Sequence, residues 1–270
     1  MKVRSYGAGE KEIAVIGGTH GDEPMTAKAV EEFYSDLIEE YEEERMNGIA
    51  KFIVANEKAI EKSVRFTEAD LNRSYPGEPE SDTYEVALAA NIMKELNSCD
   101  AILSIHSSRS APPEFAITSC IDNPINRKTA LYLPVNYFVD TGSLRKDTMD
   151  ANLENTVTIE AGHQGSEKTK DFAYKSIEHF LAGHGVLDIK DVKATKTDVI
   201  EAVREIEKSH GEPHVYSENF SEVPEGEIVA EDDGVKHVAT ERENIPVLLS
   251  ERGYNDIFGL IGREKNKLNP

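Results

Sequence analysis

Cysteine and long apolar runs are scarce in this chain of 270 residues. Its two cysteines, Cys99 and Cys120, are too few for a disulfide framework and do not stand at the spacing of a zinc-binding cysteine motif. No apolar run approaches the roughly 18 residues that suggest a membrane-spanning helix, and residues 1–9 lack the pattern of a signal peptide. We therefore expect a cytoplasmic protein that does not associate with membranes.

Basic residues are also few. The chain has 30 lysines and arginines but 51 aspartates and glutamates, so its formal net charge is -21 at pH 7. This charge repels nucleic acids and anionic membranes, so we expect no nucleic-acid partner. Such an acid excess is also typical of proteins that stay soluble in concentrated salt, which favours a halophilic source. The alternative is that acidic segments such as 39–44 form solvated helix faces.

The pattern of apolar residues predicts two regions. Short β-rich runs alternate with longer amphipathic stretches over residues 1–210, which is typical of an α/β domain with a buried sheet. The expected strands are Glu12–Gly18, Lys51–Ala55, Ala101–His106, Glu114–Ser119, Asn136–Asp140 and Thr156–Glu160. The expected helices are Pro24 to about Glu44, about Asp82–Leu96, Lys168–Ala182 and Thr197–Lys208. Residues 211–270 have short alternating runs separated by Gly, Pro and Asn, which predict a small β module packed against the first domain.

Three polar residues at predicted strand ends indicate a metal site. His20 and Glu23 lie three apart in a glycine-rich turn between a strand and a helix, and His106 ends another buried strand. Parallel neighbouring strands would bring them to one sheet edge, where two histidines and a glutamate form a common catalytic zinc set with a fourth position for water. The alternatives for the single residues are a surface histidine, a carboxylate at a helix N-terminus and a core histidine.

Glu160 ends a third predicted strand after four β-branched residues. Burial of a lone glutamate is costly unless something compensates it. A general base beside a water molecule activated by zinc would explain this position, because the carboxylate can accept and return a proton. The alternative is a glutamate that faces solvent at the strand end.

Two arginines stand in the polar loop 64–77. The planar fork of Arg73 suits a substrate carboxylate, and Arg65 could stabilise an oxyanion. In so acidic a chain, however, surface salt bridges are the ordinary use of arginine, and these two residues alone favour that alternative.

These motifs together resemble the succinylglutamate desuccinylase/aspartoacylase family of the zinc carboxypeptidase superfamily. The matching segments are Gly-Gly-Thr-His-Gly-Asp-Glu at 17–23, Asp-Leu-Asn-Arg at 70–73, the strand-end His106 and Glu-Ala-Gly at 160–162. The resemblance covers about residues 10–190. It implies a mixed central sheet flanked by helices, as in zinc carboxypeptidases, and a small C-terminal β domain that covers the active-site cleft. Members often pair, so a homo-oligomer is also implied.

The resemblance implies a role for each motif residue. One zinc ion per chain would be held by His20, Glu23 and His106. Glu160 would act as general base and then as proton donor, and Arg65 would polarise the scissile carbonyl. The implied enzyme is a deacylase that cleaves the amide bond of an N-acyl amino acid or a related small amide. A zinc carboxypeptidase acting on peptides and a non-catalytic metal-binding protein are the alternatives.

The resemblance also implies that Asn72 and Arg73 hold a substrate carboxylate and that Tyr254 enters the site from the second domain. Two departures from the family pattern concern the rest of the site. Many members have Asp-Leu-His at the third ligand, where this chain has Ser104-Ile105-His106. Residues 150–156 lack the arginine that aspartoacylases use for a second carboxylate, although Arg145 stands nearby in sequence.

Overall fold

A ten-stranded mixed sheet forms the centre of the computed structural model, which describes residues 1–110 and 113–270. The strands of the chain are β1 (Lys2–Ala8), β2 (Glu12–Gly17), β3 (Gly48–Val54), β4 (Ala101–Ser108), β5 (Phe115–Thr118), β6 (Tyr137–Asp140), β7 (Thr156–His163), β8 (Thr197–Glu207), β9 (His214–Val215), β10 (Ile228–Asp232), β11 (Val235–Val238), β12 (Ile245–Val247) and β13 (Ile257–Leu268). The order in the large sheet is β1-β3-β2-β4-β7-β5-β6-β8-β13-β12.

Parallel and antiparallel pairs both occur in this sheet. Strands β3, β2, β4 and β7 run parallel, and so do β5, β6 and β8. Strand β5 runs antiparallel to β7, and β13 runs antiparallel to β8. The prediction of a mixed central sheet is therefore confirmed.

Helices cover both faces of the sheet. They are α1 (Pro24–Glu40), α2 (Glu57–Lys62), α3 (Tyr84–Leu96), α4 (Pro124–Tyr132), α5 (Met149–Asn152) and α6 (Glu167–Gly183). Successive residues of β2 point to opposite faces, so Ile13 packs in the same core as Phe33 of α1, and Ile16 packs with Ile92 of α3. Because both faces are covered, the central strands read as continuous apolar runs. No helix in the described ranges is long and apolar enough to cross a membrane.

The C-terminal segment contributes to two sheets. Strands β9, β10 and β11 form a separate three-stranded sheet, which confirms the small C-terminal β unit. Strands β12 and β13 instead extend the large sheet, and β13 pairs with β8 over most of its length. Hydrogen bonds thus cross the expected boundary between residues 210 and 211, and the division into two domains there stays a prediction.

The predicted helix Thr197–Lys208 is wrong, because this segment is strand β8. Its apolar residues satisfy a helical spacing and a strand spacing equally well, so periodicity alone is ambiguous here. β-branched residues such as Val199 and Ile200 favour the extended form. The strand pairs with β6 on one side and β13 on the other, and these tertiary hydrogen bonds decide its structure.

Candidate metal centre and active site

The three candidate ligands lie where β2 and β4 reach one edge of the sheet. His20 and Glu23 belong to the turn between β2 and α1, and His106 is in β4, the neighbouring parallel strand. The turn is tight against α2, because a Cβ on Gly21 would lie 2.0 Å from the carbonyl carbon of Ala59. Only glycine fits at this point, which explains the glycine-rich sequence around His20.

The structure brings His20, Glu23 and His106 together. One ligand atom from each lies within 4.8 Å of the other two, and all three residues are at most 4% exposed. His20 Nδ1 is 2.7 Å from Glu23 Oε1, and His106 Nδ1 is 3.5 Å from Glu23 Oε2. The backbone N–H of Ser107 donates to Glu23 Oε2 at 2.8 Å. These three side chains could hold a metal ion.

The charges of this group are strongly coupled. Burial would lower the pKa of His20, but the Glu23 carboxylate and hydrogen bonds with Asp70 and Glu23 raise it to about 9. Burial would likewise raise the pKa of Glu23, yet His20 and His106 hold it well below its usual range. In the absence of a metal, a proton on His20 therefore compensates the buried Glu23 carboxylate.

Asp70 also belongs to the site, although the sequence pattern predicts no role for it. Its carboxylate accepts from His20 Nε2 at 3.1 Å and from Arg65 Nη2 at 3.1 Å. Burial would raise its pKa, but the contacts with His20 and Arg65 keep it well below the usual range. Because Nε2 of His20 is bonded to Asp70, its Nδ1 atom faces Glu23. Proteins commonly orient a histidine that binds a metal by a hydrogen bond to a carboxylate of this kind. Its position in the Asp-Leu-Asn-Arg motif is the one feature of the sequence that could have indicated a role in the site.

Glu160 lies opposite His106 in the parallel pairing of β4 and β7. Its Oε2 atom is buried and has no hydrogen-bond partner in the part of the chain that the structure describes. Burial and the nearby Glu23 carboxylate raise the pKa of Glu160 to about 8. The solvent-facing alternative does not apply, because the carboxylate lines the candidate site.

The two arginines have different partners. Arg65 is 3.1 Å from Asp70 Oδ2 and 3.7 Å from Glu23 Oε1, so its salt bridges lie inside the site. Arg73 donates to the carbonyl of Asn72 at 2.6 Å and forms no salt bridge with any residue in the described ranges. Burial and the charge of Arg145 lower the pKa of Arg73, although the charges of Asp70 and Asp147 partly offset this effect. A partly buried cation that forms no salt bridge is well suited to bind an anionic group.

Three adjoining cavities surround these residues. The metal-side cavity, of about 50 Å³, is lined by the three candidate ligands together with Arg65, Arg73 and Glu160. The inner cavity, of about 90 Å³, is lined by Asn72, Arg73, His106 and Glu160 among others. The mouth cavity, of about 670 Å³, is lined by Arg65, Arg73, Arg109 and Arg145 among others.

Tyr254 lines all three cavities, so a residue of the C-terminal segment does reach the site. Burial and the Glu160 charge raise the pKa of its hydroxyl to about 12.

Ser104, which stands where many relatives have aspartate, has a buried hydroxyl without a hydrogen-bond partner among the described residues. It therefore does not replace the missing acid behind His106.

The amino-acid sequence of the chain matches a known protein family. Residues 10–182 match the model of the succinylglutamate desuccinylase/aspartoacylase catalytic domain. The chain belongs to this family, which confirms the resemblance. The family includes deacylases, enzymes that hydrolyse the amide bond of acylated amino acids.

Individual relatives support the same assignment. The N-acyl-aromatic-L-amino acid amidohydrolase (carboxylate-forming) of Xenopus laevis is 31% identical over 109 residues, which are 37% of this chain and 35% of that protein. The match thus spans about a third of that relative. The aspartoacylase of Danio rerio is 29% identical over 191 residues, 63% of this chain and 60% of that protein. The crystal structure of murine aminoacylase 3 superposes with a TM-score of 0.75 at 17% identity over 97% of this chain and 98% of that one, which shows a common fold.

Proposed function

We propose that this protein is a zinc-dependent deacylase that hydrolyses the amide bond of an N-acyl amino acid or a related small amide. One observation carries the proposal. The buried, unpartnered carboxylate oxygen of Glu160 lies beside a group of two histidines and one glutamate that could hold a metal ion. A non-catalytic metal site gains nothing from an additional buried carboxylate, whereas amide hydrolysis needs a base there.

The residues fit a single zinc ion per chain. Zinc accepts imidazole nitrogen and carboxylate oxygen, and catalytic zinc sites commonly have three protein ligands. His20, Glu23 and His106 would supply these, and Asp70 would orient His20. When bound, the metal supplies a Lewis acid that polarises the substrate carbonyl and makes a water molecule more acidic.

Glu160 would take a proton from the attacking water and return it to the departing amine. Its pKa, raised by burial and by Glu23, is poised for such a transfer near neutral pH. Arg65 is held by Asp70 at the edge of the metal-side cavity, where its guanidinium can stabilise the negative charge that develops on the carbonyl oxygen.

Asn72 and Arg73 would hold the substrate's carboxylate. Arg73 forms no salt bridge with a described residue, and both side chains line the metal-side and inner cavities. Tyr254 would face the same substrate from the C-terminal segment. The inner cavity, of about 90 Å³, is small, which suits the side chain of a single amino acid.

A panel of substrates tests this proposal. The zinc-loaded protein is assayed with N-acetyl and N-succinyl amino acids and with peptides of three to six residues, at low and at high salt. We expect release of a free amino acid from at least one N-acyl amino acid and much slower cleavage of the peptides. Cleavage of the peptides alone would support the carboxypeptidase alternative, and inactivity of the zinc-loaded protein toward every compound would support a non-catalytic protein.

A further inference from the structure

The inner cavity contains a second buried carboxylate, Asp150, to which the proposed mechanism gives no role. Asp150 is in α5 and is 9% exposed. Within the described ranges it forms no salt bridge, and burial raises its pKa although the hydroxyls of Thr148 and Ser119 partly offset the effect. Thr148 also lines the cavity, and its buried Oγ1 makes no hydrogen bond of standard geometry to a described residue.

The other charged groups of the inner cavity have assigned partners. Arg145 Nε lies 2.5 Å from Glu205 Oε1, so its charge is compensated. Arg73 is the proposed partner of the substrate carboxylate, and Glu160 is the proposed base. Asp150 and Glu160 are the two carboxylates that line this cavity, and neither forms a salt bridge with a described residue. Glu160 has a proposed role as the base, so Asp150 is the buried acid that is left without one, and burial of an unpaired acid is unfavourable.

The position of the cavity indicates which part of a substrate enters it. Asn72 and Arg73 line both the metal-side cavity and the inner cavity. If they hold the carboxylate of an N-acyl amino acid, the Cα atom lies where the two cavities meet. The amide then extends toward the metal side, and the side chain extends into the inner cavity.

We infer that the inner cavity selects a side chain with a cationic end, so that the preferred substrates are Nα-acylated basic amino acids whose ammonium group binds Asp150. This inference rests on the proposed deacylase function. The carboxylate of Asp150 and the hydroxyls of Thr141 and Thr148 offer acceptors for the three N–H groups of an ammonium. The apolar side chains of Ile117 and Leu260 line the same cavity and would contact the methylene groups of the side chain.

Matched substrates test the inference. The kcat/KM of the zinc-loaded protein is measured for Nα-acetyl-L-ornithine and Nα-acetyl-L-lysine. It is compared with the values for the neutral Nα-acetyl-L-norvaline and Nα-acetyl-L-norleucine and for the anionic Nα-acetyl-L-glutamate. We expect the basic substrates to exceed the neutral ones by at least about 10-fold, because a buried charge pair is worth this much or more.

The variant Asp150→Asn keeps the shape of the side chain and removes its charge. It should lower kcat/KM for the basic substrates at least about 10-fold and leave the neutral ones within about 3-fold, since the lost interaction is with the ammonium alone. Asp188→Asn is the matched control, because it changes the net charge equally at an exposed position. Calorimetric binding of L-ornithine and L-norvaline gives the same comparison without turnover.

The possible outcomes separate the two proposals. Turnover of neutral or anionic substrates at least as fast as basic ones refutes the inference and leaves the deacylase function standing. An equal loss of kcat/KM for all substrates in a folded Asp150→Asn variant also refutes the inference, because Asp150 would then not select substrates by their charge. If that variant does not fold, the wild-type series decides alone. Inactivity toward every N-acyl amino acid refutes the proposed function together with the inference.

Discussion

The carboxylate of Asp70 joins His20 to Arg65, with 3.1 Å to the Nε2 atom of the histidine and 3.1 Å to the Nη2 atom of the arginine. One acid thus fixes both a candidate metal ligand and the arginine proposed to stabilise the oxyanion. The metal position and the position of that positive charge are therefore coupled through a single side chain.

The variant Asp70→Asn should weaken zinc binding about 10- to 100-fold, which is the usual effect of removing the carboxylate behind a histidine ligand. The amide cannot accept from His20 and Arg65 with a full negative charge, so kcat should fall as well. Competition with a chelator of known affinity measures the zinc affinity. Asp188→Asn serves as the control, and unchanged affinity in Asp70→Asn would show that Asp70 does not orient the ligand.

Zinc binding should release protons near neutral pH. Because the pKa of His20 is raised to about 9, the metal-free protein holds a proton on this imidazole at pH 7.5, and coordination requires the neutral form. We expect about one proton per zinc at pH 7.5, or more if Glu160 also loses its proton, and a smaller release above pH 9. Calorimetry in buffers of different ionisation enthalpy gives the number. Release of no proton at pH 7.5 would contradict the assignment of His20 as a ligand.

The variant Arg73→Gln should reduce kcat/KM for N-acyl amino acids about 10- to 100-fold, because it removes a charge-assisted contact with the carboxylate. A matched amide that lacks the carboxylate should be cleaved slowly by the wild-type protein and should lose little further activity in the variant. Comparing both substrates in both proteins isolates this contact. A similar loss for both substrates would show that Arg73 acts on something other than the carboxylate.

The parts of the fold that local pattern determines could be predicted from the sequence. Strands β2 and β4 are continuous apolar runs, and Pro24 marks the first turn of α1, so these elements lie close to their expected positions. The helix predicted over Thr197–Lys208 is wrong, because only the pairing of this segment with β6 and β13 distinguishes a strand from a helix here. Strand β13 likewise joins the large sheet through long-range pairing that no local pattern indicates.

In the candidate site, too, local sequence pattern predicts some residues, and others depend on long-range contacts. His20, Glu23 and His106 could be found because each lies at or just after the end of a buried apolar run, and the parallel pairing of β2 and β4 brings those ends together. The contacts of Asp70 and the burial of Asp150 depend on how loops fold over the sheet edge, which the sequence pattern does not determine. The roles of all these residues, the cytoplasmic location, the halophilic source and a homo-oligomeric state stay predictions.

The most direct measurement is the zinc content and the turnover of Glu160→Gln, determined on the same preparation. We expect about one zinc per chain, as in the wild-type protein, with kcat for an N-acyl amino acid lowered by at least about 100-fold, because general-base catalysis contributes that much or more. Glu225→Gln, a change at an exposed glutamate, should retain both zinc and activity. Full turnover by zinc-loaded Glu160→Gln would show that this carboxylate is not the base.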